Sequence, residues 1–218
     1  MRVVLGRRGA RDSEKPSRVR AAEFSAVGFD TTGWRLEEDR PDWRDWRNDF
    51  GDVLVLTRTD PASFGSLSDH RSLIGKVREL AESQGGAIVS VVALFDHGWS
   101  SAQFIFKKKD GAGYLYHGWY LVPSGDGLLV FDVVCGERGL TGAREATVGG
   151  MLAAAGEIEP VPGHIKGWFE DPYDLDYSGP VLRSVSDSEA YDGVLPDHPL
   201  TRLRKTLAPL SRTLNIAS

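Results

Sequence analysis

Apolar residues recur along this chain in two rhythms, and the change falls at Gly85-Gly86. Before that pair, Leu73, Ile74, Val77, Leu80 and Ala81 follow a helical spacing that places them along one face. Asp69 stands in N-cap position, and the glycines, free to take positive φ, end the helix. After the pair, four runs follow in series: Ala87–Leu94, Ala102–Lys107, Tyr114–Val122 and Leu128–Cys135. Their short connections predict antiparallel neighbours, because a parallel crossover takes a dozen or more residues. The first run is apolar except for Ser90, which predicts a central strand, and the second ends in a lysine-rich turn at 107–111. In the last, Leu129, Phe131, Val133 and Cys135 share one face by the two-residue period.

Upstream, Val53–Arg58 is β-branched at alternate positions and lies between Gly51-Asp52 and Asp60-Pro61, so it reads as a strand joining this meander. Thr32–Leu36 reads as a first strand, and the tryptophan-bearing stretch Asp42–Asn48 carries no strand pattern. The prediction is an α+β fold, with an antiparallel sheet of about five to six strands and helices packed on it. Downstream, Thr141 is placed to cap a helix reaching Ala155, although each glycine of Gly149-Gly150 weakens it by up to about 1 kcal/mol. Residues 160–195, rich in proline, glycine and aspartate, read as an irregular surface arm.

The last element is predicted over 197–214, with Asp197 as N-cap and Pro199 in the first turn. Leu200, Leu203, Leu207, Leu210 and Leu214 form a stripe along it, expected to pack on the chain's own sheet. Pro209 is expected to kink or end the helix. Residues 1–22 are basic and without period, which predicts a frayed leader ahead of a single domain at 23–218.

Composition narrows the function classes. At 41% hydrophobic and 26% charged, the 218 residues are those of a globular protein. A net charge of −5 argues against generic binding to nucleic acid, which requires a basic excess. No apolar run approaches the roughly 20 residues of a membrane span, and none of signal-peptide length follows the N-terminal arginines. One cysteine, Cys135, excludes an internal disulfide and a cysteine-rich zinc module, and fits a reducing compartment. We expect a cytoplasmic protein with no membrane contact.

The order of a strand, a helix and then an antiparallel meander with a helix on it, over roughly residues 24–155, resembles the PsbP-like and DcrB-like α+β fold. The stretch from Cys135 to Ala146, and the tail with Asp171–Asp174 and Leu195–Leu200, resemble uncharacterised bacterial proteins. The fold resemblance implies a binding protein, secretion chaperone or assembly factor, usually without a catalytic site.

The residues themselves offer several chemistries. Cys135 needs a base such as His97 or His117 to become a nucleophile, and its strand face groups it instead with core positions. Asp171, Asp174 and Asp176, beside Glu170, supply oxygens without the spacing of a calcium loop. Asp96-His97 forms an orienting pair near Ser100 and Ser101 without the glycine-flanked serine turn of hydrolases. Gly136, Gly139 and Gly142 lack the lysine of a phosphate loop, while Arg138 and Arg144 flank that turn and suit an anion. Tyr114, Tyr116 and Tyr120 share one strand face and Trp119 takes the other, and Trp168 adds a ring in the arm.

No catalytic residue, metal ligand or cofactor is assigned. The expected binding residues are Tyr114, Tyr116, Trp119, Tyr120, Trp168, Arg138 and Arg144, and the expected function is adaptor- or chaperone-like, holding a protein partner on the sheet face and the arm. Two alternatives stay open: a small hydrolase or metal-dependent enzyme centred on His97, Cys135 or the 170–176 acids, and an anion or small-ligand sensor built on Arg138 and Arg144.

Overall fold

The computed structural model describes Phe24 and residues 26–96, 98–161, 164–179 and 181–216. The predicted leader lies outside them. A short strand β1 (Val27–Gly28) precedes β2 (Trp34–Asp39), β3 (Trp43–Asn48) and β4 (Val53–Thr59). Helix α1 (His70–Ser83) then leads into β5 (Gly86–Asp96), β6 (Trp99–Asp110), β7 (Gly113–Ser124) and β8 (Gly127–Gly136). Helix α2 (Ala143–Ala155) is followed by the two-residue strands β9 (Pro160–Val161), β10 (His164–Ile165), β11 (Phe169–Glu170) and β12 (Arg183–Ser184). Helix α3 (Pro199–Thr213) and β13 (Asn215–Ile216) complete the described chain. No helix among the described residues is long and apolar enough to cross a membrane.

Strands β2 to β8 form one antiparallel sheet of seven strands in the order β2-β3-β4-β8-β7-β6-β5. The α+β class stands, and the strand count exceeds the expected five to six because the tryptophan-bearing stretch is a strand after all. Trp46 is buried there, against the edge of Phe29 at 5.2 Å. Arg44 of β3 meets Asp39 of β2 at 2.7 Å, so charge pairing rather than apolar alternation holds this hairpin. β5 is not central but an edge strand. Its apolar run reflects cover on both faces, which says nothing about the edge.

Each face of the sheet carries a helix. On one, Leu73, Val77 and Ala81 of α1 pack on Ile88, Phe104, Phe106, Leu121 and Val130. Asp69 caps α1 as expected, accepting from the Ser72 amide at 3.1 Å. On the other, the whole leucine stripe of α3 is buried with Tyr116, Tyr120, Phe131, Val133 and Cys135. Gly118 lets α3 come this close, since a Cβ there would lie 2.5 Å from a methyl of Leu203.

Three boundaries differ from expectation. The N-cap of α3 is His198, whose Nδ1 accepts from the Leu200 amide at 3.2 Å. Pro209 lies inside α3, which continues to Thr213 because Leu210 and Leu214 are buried beyond it. At α2 the cap is Gly142 in the left-handed region, with no side-chain bond from Thr141.

Part of the 160–195 segment belongs to the core. Its Trp168 packs with Val148 and Leu152 of α2, and its Asp171, Ser184, Ser186 and Asp187 are buried. Lys107, predicted to open a turn, is instead a buried strand residue paired with Asp187 at 2.5 Å.

Candidate functional site

Three turns meet at the end of β8. The first is the β3–β4 turn, where Gly51 takes a φ of 69° and Phe50 stands out at the tip. The second is the 136–143 turn into α2, and the third is the 194–199 segment entering α3. They enclose a cleft of about 440 Å³ lined by Phe50, Leu140, Val194, Pro196, His198 and Arg202 among others. Its rim is apolar: Leu140 is 82% exposed, Phe50 48% and Val194 46%. Exposed apolar side chains gathered at one concavity mark an interaction surface better than any singly placed.

The floor is polar. Glu137 accepts from the amides of Tyr114 at 2.8 Å and Gly142 at 3.1 Å, and lies 3.5 Å from His198 Nε2. Burial alone would raise its carboxyl, but His198 and the two amides outweigh it and hold the group below its usual range. His198 caps α3 through Nδ1, which leaves the Nε2 proton facing Glu137. Beside them, Arg202 makes a two-pronged pair with Asp52 at 2.8 and 2.7 Å and lies over the Phe50 ring at 4.6 Å. Burial would lower the guanidinium, and Asp52 more than offsets this, raising it. Arg138, at the surface, donates to the Gly51 carbonyl at 3.3 Å. These groups hold the three turns in place and leave the rim free to be covered.

No family model matches this chain, and no curated protein does. Solved structures are similar in fold. The Ran-binding protein Mog1p of Saccharomyces cerevisiae is 9% identical with a TM-score of 0.46, over 88% of this chain and 91% of that one. Cyanobacterial PsbP (CyanoP) from Synechocystis is 14% identical with a TM-score of 0.35, over 60% and 88%. A Pseudomonas aeruginosa protein of unknown function, PA94, described as a putative regulator, is 15% identical with a TM-score of 0.32, over 51% and 74%. One of these is a PsbP, the kind of fold that the element order resembles.

The residues expected to bind are dispersed. Tyr116 and Tyr120 are fully buried beneath α3, because the face that was to receive a partner receives the chain's own helix. Tyr114 is half-buried with the Lys107 ammonium over its ring at 4.6 Å. Trp119 lies on the α1 face against Phe64 and Phe104. Trp168 is core beside α2. Arg144 is buried and donates to the carbonyls of Ser186 and Ser188, to Thr201 and to Asp192, so it pins the 184–192 segment and does not converge with Arg138 on an anion. Of the seven, Arg138 alone lines the cleft.

The enzyme alternatives find no assembled set among the described residues. Cys135 faces α3, whereas His117 stacks on Phe106 on the α1 face and meets Asp132 at 3.3 Å. Burial, with Asp52 nearby, pushes the Cys135 thiol well up, the opposite of an activated nucleophile. His97 lies outside the described residues. Asp171 pairs with Arg78 at 2.6 Å, Glu170 with Arg183, and Asp174 accepts from the Asp176 amide at 3.1 Å, so three of the four acids have separate partners.

Phe50, Leu140, Val194 and His198 are not among the residues expected to bind. A signal for the first two was present: a large apolar residue at the tip of a glycine turn has no local reason to be there. Val194 and His198 carry no such mark.

Proposed function

We propose that this is a non-catalytic binding protein that holds a segment of a partner protein in the cleft between the three turns. The apolar rim of Phe50, Leu140 and Val194 carries this reading. The expected segment presents a bulky apolar side chain to that rim and an acidic residue to Arg138, an exposed cation that donates to the Gly51 carbonyl and pairs with no acid among the described residues. The polar groups of the floor support binding over chemistry, because Glu137, His198, Asp52 and Arg202 are committed to one another and to backbone amides. A single buried cysteine and a net charge of −5 agree with a cytoplasmic partner that is protein rather than nucleic acid.

The test is selection of a displayed random-peptide library on the wild-type protein, followed by titration of the enriched peptides by fluorescence anisotropy. Peptides pairing a bulky apolar residue with an acid are expected, with binding weakened at least tenfold by Leu140→Asp and by Arg138→Glu. Enriched peptides that bind both variants as tightly as wild type would place the binding surface elsewhere.

A further inference from the structure

The sheet has two free edges, and they are treated differently. Along β2, Arg35, Glu37, Glu38 and Asp39 are exposed, Arg35 pairs with Glu37 at 2.7 Å, and the register slips between Leu36 and Glu38. Charge and irregularity of this kind keep an edge from pairing with another chain.

Along β5 the first half is capped by other means. Tyr173 Oη accepts from the Val91 amide at 2.5 Å and donates to the Val91 carbonyl at 3.0 Å, and Arg183 reaches the Val89 carbonyl at 3.5 Å. Backbone groups alternate sides along a strand, so the N–H and C=O of Ala93 and Phe95 point outward as those of Val91 do. Among the described residues nothing bonds them on that side. From Val92 to Phe95 the strand carries no charge, no proline and no irregularity, and Phe95 is 79% exposed. It is the most exposed aromatic side chain among the described residues.

The open window is its own complement. It begins just after Val91, where Tyr173 sits, and closes at Asp96, where β5 ends, so its centre is Leu94. A two-fold axis at Leu94 sets Ala93 opposite Phe95 of a second copy, and both open residues of each strand then exchange their bonds. The small side chain of one copy meets the large side chain of the other. The end of the second strand, Asp96, falls opposite Val92 and stops short of Tyr173. Shifting the axis by one residue either way leaves one outward residue facing the capped Val91 or the turn beyond Asp96. We propose that two copies of this chain pair antiparallel through residues 92–96 of β5, joining their seven-stranded sheets into one continuous sheet.

The interface is small, so dimerisation is expected in the micromolar-to-millimolar range. Sedimentation velocity on the full chain, from roughly 1 µM to 1 mM, reads it directly. Wild type is expected to pass from monomer to dimer, with amide exchange at Ala93 and Phe95 slowing as the dimer forms. Phe95→Lys, which acts twice across the axis, is expected to weaken the dimer about a hundredfold. Ala93→Pro removes an outward donor while leaving the bonds to β6 intact, and is expected to abolish the dimer with an unchanged circular dichroism spectrum. Leu140→Asp leaves the dimer as it is, since the cleft shares no residue with this edge. A wild type that stays monomeric at the highest concentration would overturn the proposal, as would a dimer that survives both edge substitutions in folded protein.

Discussion

The two faces of the sheet are closed by different physics. Under α1, the side chains between Leu73 and Val130 are almost all hydrocarbon or aromatic, and their contribution comes from area removed from water. On the other face the hydrocarbon beneath α3 gives way, towards α2 and the 184–192 segment, to a layer of buried charge. Lys107 pairs with Asp187, Arg144 ties α2 to both the 184–192 segment and α3, and Glu137 meets His198. Not all of that layer is satisfied: Tyr116 Oη, Asp187 Oδ1 and both carboxylate oxygens of Glu145 lie buried without a hydrogen-bond partner. An apolar face tolerates substitutions that keep volume. A charged one demands that each group keep its own partner.

The sharpest way to break the contrast is Asp187→Ala, which leaves the Lys107 ammonium unpaired in the interior. A loss of about 3–5 kcal/mol in urea unfolding is expected, and pairing it with Lys107→Met should recover most of that loss. On the α1 face, Leu73→Ala is expected to cost about 2–5 kcal/mol through the cavity it opens, by an amount that does not vary between pH 5 and 8. Gly118→Val tests the close approach of α3 by driving a side chain into Leu203 and Leu207, and about 1–3 kcal/mol of destabilisation is expected by thermal unfolding.

The smallest effect is also the most discriminating. Burial pushes the Glu145 carboxyl up. At low pH the folded and unfolded chains both carry its proton. As pH rises through the ordinary carboxylate range the unfolded chain gives the proton up first, and stability falls until the folded carboxyl titrates. Glu145→Gln removes that loss, so the variant should overtake wild type towards neutral pH, with the gap closing on acidification. Glu137, held low, works in the opposite sense, its contribution being present above the ordinary range and lost as pH falls through its depressed value. A stability–pH profile that does not move in Glu145→Gln would mean that this layer is wetter than its geometry implies.

The same contrast explains what was legible in the sequence. Hydrophobic rhythm marked α1, the four-strand meander and the leucine stripe of α3, because each buries one apolar face and the period records it. It was silent on β3, whose pattern Trp-Arg-Asp-Trp-Arg-Asn mixes core and ion-pair positions. It set Lys107 at the junction of strand and turn, since a lysine is ordinarily exposed and only the distant Asp187 makes it a core residue. The aromatic face of β7 was recognised as a face that must be covered, and its cover proved to be α3. As for the cleft, its rim residues are scattered from Phe50 to Val194 and only the fold assembles them.

The order in which these elements leave a ribosome has a consequence. The sheet is complete once Gly136 has emerged, but the helix that covers Tyr116, Tyr120 and Phe131 begins only at Pro199. At about 5–20 residues per second, translating the interval takes several seconds, far longer than a hairpin takes to form. During that time the nascent sheet presents an aromatic face without the helix that covers most of it. Synthesis of this protein should therefore depend on holdase chaperones acting in that interval, and slowing translation after codon 136 should lower its soluble yield.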